Sequence, residues 1–266
     1  MIAIRELHEI AEFEQASGLF DEIWHFDPES RPISVELMRA MSHAGNYVAG
    51  AFDDAGRLVG ASVGFFGAGN TLHSHITGAV SGHGTGLQLK LHQRRWALER
   101  GIERITWTYD PLVRRNAHFN LAKLGARPVE YLPSFYGVMV DAINQGGDSD
   151  RVLASWPLSA PHVAALVRGE PCRRPLPADA EVVLADEDGR PVAFHSDAPT
   201  LLVALPEDIE TMRVTDPGAA KAWRLAVREV LGGLLVEGGA VTAFHDKAFY
   251  VVERPSLGTA SSSDRV

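Results

Sequence analysis

Two histidines and three glycines, close together in the chain, carry the first chemistry that can be read from this sequence. His73 and His75 stand two residues apart in the apolar run Thr71–Val80, which reads as a strand. Side chains alternate along a strand, so both imidazoles fall on one face. An imidazole has a reference pKa near 6.5 (about that of a base useful at neutral pH), so it suits deprotonation of an amine. The same spacing fits a hydrogen-bonded structural pair, or two ligands of a metal site that lacks a third ligand nearby; no metal is expected. Gly82, Gly84 and Gly86 follow at every second position, and an amphipathic helix runs on to Gly101 with Leu87, Leu91 and Leu98 near one face. A glycine-rich turn opening a helix presents free N–H groups and the positive end of the helix dipole, a combination that binds phosphate.

The other candidates lie further along. Lys90, Arg94 and Arg95 could reach phosphates from the surface of that helix, where cations are ordinarily just solvated. Trp107 and Asp110 end the run RITWTY; Trp107 reads as core, and Asp110 as a turn cap or a contact for a substrate amine. Asn116 and Asn120 are one helical turn apart and could both face a ligand, and asparagine is mildly unfavourable inside a helix. Arg224 and Arg228 are likewise one turn apart and would fit a carboxylate, unless they pair with acids such as Glu229 or Glu237. Cys172 lies in a proline-rich connection, far in sequence from the glycines, and no serine elbow is present; both speak against a covalent intermediate.

Positioning these residues requires an α/β layer. The predicted order is an edge strand at Ile2–Ile4, helices over Glu6–Trp24 and Val35–Ser42, and a hairpin of Tyr47–Phe52 with Leu58–Phe66. The His-bearing strand, the glycine turn and its helix come next, then strand Arg104–Tyr109, a helix over Asn116–Leu124 closed by Gly125, and strand, loop and strand over Arg127–Val140. Gln145–Asp150 is the best internal boundary. Beyond it the reading gives a strand at Val152–Trp156, a Ser159-capped helix and a hairpin around Asp186–Gly189. A strand at Leu201–Leu205, a helix opened by Pro206, a long helix Ala219–Val236 and a terminal hairpin complete the chain.

The totals bound the rest. With 266 residues, 45% hydrophobic and 22% charged, the chain has ample core. A net charge of -9 argues against nucleic acid or an anionic membrane as partner, so a phosphate must be gripped locally. One cysteine excludes an internal disulfide, and neither a signal peptide nor a transmembrane run is read, which makes the cytoplasm the default.

The order of elements resembles the GNAT acyltransferase superfamily (Gcn5-related N-acetyltransferases). Ser81-Gly82-His83-Gly84-Thr85-Gly86 resembles its Gln/Arg-x-x-Gly-x-Gly/Ala pyrophosphate loop, and Asn116 through Leu124-Gly125-Ala126 its Asn…Leu-Gly-Phe segment. The sequence is most similar to a poorly characterised branch whose segments read LHSHM, WTxDPL and RNxxFNxxKLG. The resemblance implies a mixed, mostly antiparallel sheet flanked by helices over 1–155. A C-terminal α/β part resembling half such a layer, and serving as a lid over the acceptor, would cover 156–254, with a disordered tail at 255–266. It also implies acetyl-CoA or another acyl-CoA as co-substrate. The strand ending in Ala79 and Val80 would pair with the pantetheine arm and give N–H groups to the thioester carbonyl, and Ser81 to Leu87 would hold the pyrophosphate. Two departures stand out. Ser81 replaces the usual Gln or Arg, and the family's tyrosine acid would align near Leu121. Tyr131 or Tyr136 on the following segment could supply the proton, with His75, and less readily His73, as base.

The expected function is therefore N-acyl transfer to a small amine such as an amino acid or metabolite, with Asp110 and Arg224 as acceptor contacts and a homodimer possible. A non-catalytic acyl-CoA-binding or regulatory module is the alternative. A dinucleotide-binding oxidoreductase is set aside because Gly82–Leu87 lacks the G-x-G-x-x-G spacing.

Overall fold

The computed structural model describes residues 2–25, 31–82, 84–137, 148–170 and 175–255. Its first half runs β1 (Ala3–Glu6), α1 (Ile10–Trp24), α2 (Val35–His43), β2 (Tyr47–Phe52), β3 (Leu58–Gly67), β4 (Thr71–Ala79), α3 (Thr85–Glu99), β5 (Arg104–Tyr109) and α4 (Arg114–His118). α4 continues as a π-helical turn, Phe119–Leu124, and leads to β6 (Arg127–Leu132) and β7 (Arg151–Pro157). These strands form one sheet in the order β1-β2-β3-β4-β5-β7-β6. Every neighbouring pair is antiparallel except β4 with β5. The expected mixed, mostly antiparallel layer flanked by helices is thus what the chain forms. The segment expected as a boundary, of which residues 148–150 are described, leads directly into β7, which the first sheet holds between β5 and β6.

The second half gives α5 (Pro161–Val167), β8 (Glu181–Glu187), β9 (Arg190–Ala193), β10 (Thr200–Ala204), α6 (Ile209–Thr215), α7 (Pro217–Val236), β11 (Ala240–His245) and β12 (Phe249–Glu253). Its sheet has the order β11-β12-β10-β8-β9, with β8 and β10 parallel. One apolar core runs through both halves, joining Trp107, Tyr131 and Trp156 of the first to Leu201, Trp223 and Tyr250 of the second. A separate cluster built on Phe13, Phe20 and Met38 seats α1 and α2 against the opposite face of the first sheet, on Val48, Val63 and Ile76.

Local chemistry moves several helix starts from their expected places. Glu6 ends β1, and α1 begins at Ile10 because the Glu12 carboxylate turns back to accept from the His8 and Glu9 amides. α5 is capped by Ala160 with Pro161 in its first turn, without a Ser159 cap. Pro206 does not open a helix; α6 starts at Ile209, where Asp208 accepts from the Glu210 and Thr211 amides. Gly125 ends the π-turn at φ 73°, the left-handed conformation expected of it. A Cβ there would also come within 2.9 Å of the Leu166 side chain.

Candidate active-site cleft between β4 and β5

The site arises from two irregularities in β4. Paired in parallel over Thr71–Arg104, Leu72–Ile105 and His73–Thr106, β4 and β5 part beyond those residues and leave facing backbone groups unpaired with each other. At the same level the β3–β4 register passes from Val63–Ile76 to Gly64–Ser74, so His75 is the extra residue of a bulge. The bulge changes the phase of alternation. Ser74 bonds Lys90 of α3, while Thr77 bonds Ser62, which in turn accepts from Gln93 of α3; both therefore turn to the α3 side despite an odd spacing.

A cleft of about 660 Å³ opens between the parted strands. Its α3–α4 side carries Lys90, Asn116 and Asn120, and Trp24 and Pro32 line it together with His75. Gly86 brings the first turn of α3 to the wall. That helix start is pinned to the sheet: a Cβ on Gly60 of β3 would lie 2.9 Å from the Thr85 methyl. Gly84 caps it at φ 65°, and Thr85 Oγ1 is buried with no hydrogen-bond partner among the described residues.

Lys90 corrects the expectation of a solvated helix cation. The buried stripe of α3 is Thr85, Leu89, Lys90, Gln93, Trp96 and Ala97, whereas Leu87, Leu91 and Leu98 are only half-buried. Lys90 is 6% exposed; its Nζ donates to Ser74 Oγ at 2.8 Å and lies 4.0 Å from the centre of the Trp107 ring. Among the described residues no carboxylate pairs with it, and burial lowers its pKa to about 7. Trp107 holds the next residue in turn, donating from Nε1 to Asn120 Oδ1 at 3.2 Å, which leaves the Asn120 NH₂ as the donor for other partners.

The histidines share a face, as their spacing requires, and both rings pack near Phe65. They differ in setting. His73 does not line the cleft; its Nδ1 bonds Thr106 Oγ1 at 3.1 Å, and burial, with His75 and Lys90 nearby, lowers its pKa to about 4. His75 lines the cleft, and its Nε2 is 3.1 Å from the Pro32 carbonyl. A carbonyl can only accept, so Nε2 carries a proton, and Nδ1 is the nitrogen left to act as acceptor in the neutral ring. Tyr136 also reaches the cleft, with its hydroxyl 3.1 Å from Thr108 Oγ1 and the Arg151 guanidinium 5.4 Å from its ring centre. Tyr131 is buried and donates to Asp150, so it is committed elsewhere. Leu121, where the missing tyrosine would align, is buried off the cleft.

The two expected acceptor contacts bind each other. Arg224 donates from Nη1 and Nη2 to the two oxygens of Asp110, both at 2.8 Å, and Arg213 adds a third bond. Burial alone would raise the Asp110 pKa, but these guanidiniums hold it well below the usual carboxylate range. Arg224 does not line the cleft, though Asp110 does. Arg228 pairs with Asp150 and Asp148, not with Glu229 or Glu237.

Of the expected phosphate turn, Val80, Ser81, Gly82 and Gly84 are exposed, Ala79, Gly86 and Leu87 half-buried and Thr85 buried; only Gly86 is shared with the cleft wall. His83 and Cys172 lie outside the described residues, as do residues 256–266 of the expected tail. Among the described residues no group of three or more His, Cys, Asp or Glu is placed to hold a metal, and no helix is long and apolar enough to cross a membrane.

No family model matches the chain, and no curated protein does. Solved structures do. A putative acetyltransferase from Acinetobacter baylyi ADP1 is 17% identical, with a TM-score of 0.49 over 61% of this chain and 94% of that one. The ribosomal-protein-S18-alanine N-acetyltransferase from Escherichia coli is 14% identical, with a TM-score of 0.48 over 60% of this chain and 96% of that one. The aminoglycoside 6'-N-acetyltransferase from Enterococcus faecium is 19% identical, with a TM-score of 0.44 over 60% and 98%. The likeness is one of fold.

Proposed function

We propose that this protein transfers an acyl group from an acyl-CoA thioester to the amine of a small molecule by direct attack. The observation that carries the proposal is the parting of β4 from β5 beside the start of α3. It joins three things that thioester aminolysis needs: a slot for an extended arm, backbone donors at its wall, and a helix N-terminus at its mouth. The residues present fit such a ligand. Gly84 and the α3 amides offer a cradle for the pyrophosphate within the turn Ser81–Leu87. The edge of β4 at Ala79 and Val80, with Asn116 and Asn120 opposite, would flank the arm.

In this reading His75 Nδ1 takes the proton of the acceptor's ammonium, directly or through water, with His73 fixing the strand beside it. Amide donors of β4 near the bulge face the carbonyl oxygen, where charge develops as the amine nitrogen attacks carbon and the C–S bond breaks. Tyr136 lies at the acceptor-facing rim. Asp110 and Arg224 would shape that rim as a unit and need not touch the acceptor. A volume of about 660 Å³ suits a small acceptor beside the acyl group.

A thiol-release assay across a panel of acyl-CoAs and amines tests the proposal. Turnover with at least one pair is expected, reduced roughly 10²-fold or more in His75→Ala. Tight CoA binding with no turnover for any amine would leave a binding module, which the buried Leu121 in place of a phenol favours.

A further inference from the structure

We propose that Lys90 is the proton donor to the departing thiolate, the group that stands in for the absent phenol. This rests on the acyl-CoA reading above and deepens it. A buried ammonium without a carboxylate is costly, and a fold retains such a group where a ligand gives it a task. Lys90 is held in place by two elements at once, Ser74 of β4 and the Trp107 ring of β5, so its Nζ bridges the gap at the level where the strands part. It stands on α3, the helix whose first turn would hold the phosphates, whereas His75 stands against Pro32 and Trp24. The sulfur of a CoA thioester is tethered to those phosphates and the acceptor amine is not. The geometry therefore divides the work: a proton leaves the acceptor on the His75 side and is delivered to sulfur on the Lys90 side.

The step balances. As C–S breaks, an N–H bond of Lys90 breaks and an S–H bond forms; Lys90 is left as a neutral amine and takes a proton from solvent before the next turnover. A lysine at its ordinary pKa near 10.4 gives its proton to a thiolate of pKa near 8.5 only uphill. Burial to about 7 makes the transfer downhill. Several other ionisable groups of the region are committed elsewhere, and Tyr136 stands at the exposed rim rather than between the parted strands. Asp110 is engaged by Arg224 and Arg213, Arg115 of α4 pairs with Glu210, and Arg151 of β7 lies over Tyr136 and does not give up a proton near neutrality. His73, depressed chiefly by burial and further by His75 and Lys90, is neutral.

The test combines a titration that needs no turnover with kinetics. In the full-length protein carrying ¹³C-labelled lysine, one Cε resonance should titrate near 7 and vanish in Lys90→Met. Lys90→Met should bind CoA within a few-fold of wild type by calorimetry while kcat falls 10²–10⁴-fold. Lys90→Arg, still cationic but unable to release a proton, should not restore kcat; and the fall of wild-type kcat on the alkaline side should be missing from both variants. A lysine titrating near 10, or a Lys90→Met enzyme with wild-type kcat, overturns the assignment while leaving the acyl-CoA reading intact. Failure of the wild-type protein to bind CoA overturns both.

Discussion

Two buried charges line the same cleft, and their surroundings are opposites. Asp110, at the end of β5, meets two guanidiniums from the second half of the chain and forms a bidentate pair with one of them. Lys90, on α3, meets a hydroxyl and an indole and no carboxylate among the described residues. Burial opposes ionisation at both, yet Asp110 is held ionised by its partners while Lys90 is driven toward neutrality. A charge supplied with counter-charge is committed to the fold. A charge denied it is poised to move a proton. From the sequence, Asp110 read as a turn cap or an acceptor contact, Arg224 as a carboxylate contact and Lys90 as a phosphate-reaching or solvated cation. The turn cap is present, with the Leu112 amide donating to Asp110 Oδ1 at 3.0 Å.

Substitutions at the two sites should therefore have effects of opposite sign. Removing the carboxylate charge with Asp110→Asn takes the counter-charge from the buried Arg224 guanidinium, and should cost about 3–5 kcal/mol, read as a lower denaturant midpoint. Removing the ammonium with Lys90→Met should stabilise by a few kcal/mol at or below pH 7, read as a higher Tm. The sign follows from the lowered pKa. Below about 7 both folded and unfolded lysine are protonated and the full cost of burying charge is present. Between about 7 and 10 the unfolded state binds the extra proton, so the wild type gains stability as pH rises and its gap to the variant closes. A gap that stays constant with pH would place an ordinary lysine at this position. Tyr136→Phe should have the smallest effect. Among the described residues its hydroxyl bonds Thr108 alone, at an exposed rim, so the loss should be within about 1 kcal/mol, and kcat should change by less than about threefold if Lys90 is the acid.

Most of the layer could be read from the sequence because its strands are apolar runs bounded by turns: Tyr47–Phe52 and Arg104–Tyr109 carry the expected bounds. The turn that opens α3 was legible from three glycines, and Gly84 does occupy a left-handed position before that helix. Counting by period placed His73 and His75 correctly on one face, but it could not reveal the bulge that makes only His75 a cleft residue, since nothing in Ser74–Ile76 marks an extra residue. Lys90 was read as a surface cation, reaching a phosphate at most, because its charge suggested solvent. The signal lay in its neighbours: Leu89, Gln93, Trp96 and Ala97 trace a buried stripe at helical spacing, and Lys90 falls inside it. The pairing of Asp110 with Arg224 was invisible because 114 residues separate them and nothing local ties them.

That pairing bears on how the molecule comes apart. Asp110 closes one strand of the first sheet, while Arg213 and Arg224 belong to α6 and α7 of the second half. Arg228 repeats the arrangement against Asp150, beside the start of β7. Neither half can detach without stranding ions in apolar surroundings or exposing the shared core, so the two should melt as one cooperative unit, in a single calorimetric transition. A second half fastened in this way is built to stay put beside the cleft, whose lining Glu210 of α6 joins, rather than to swing over it as a lid.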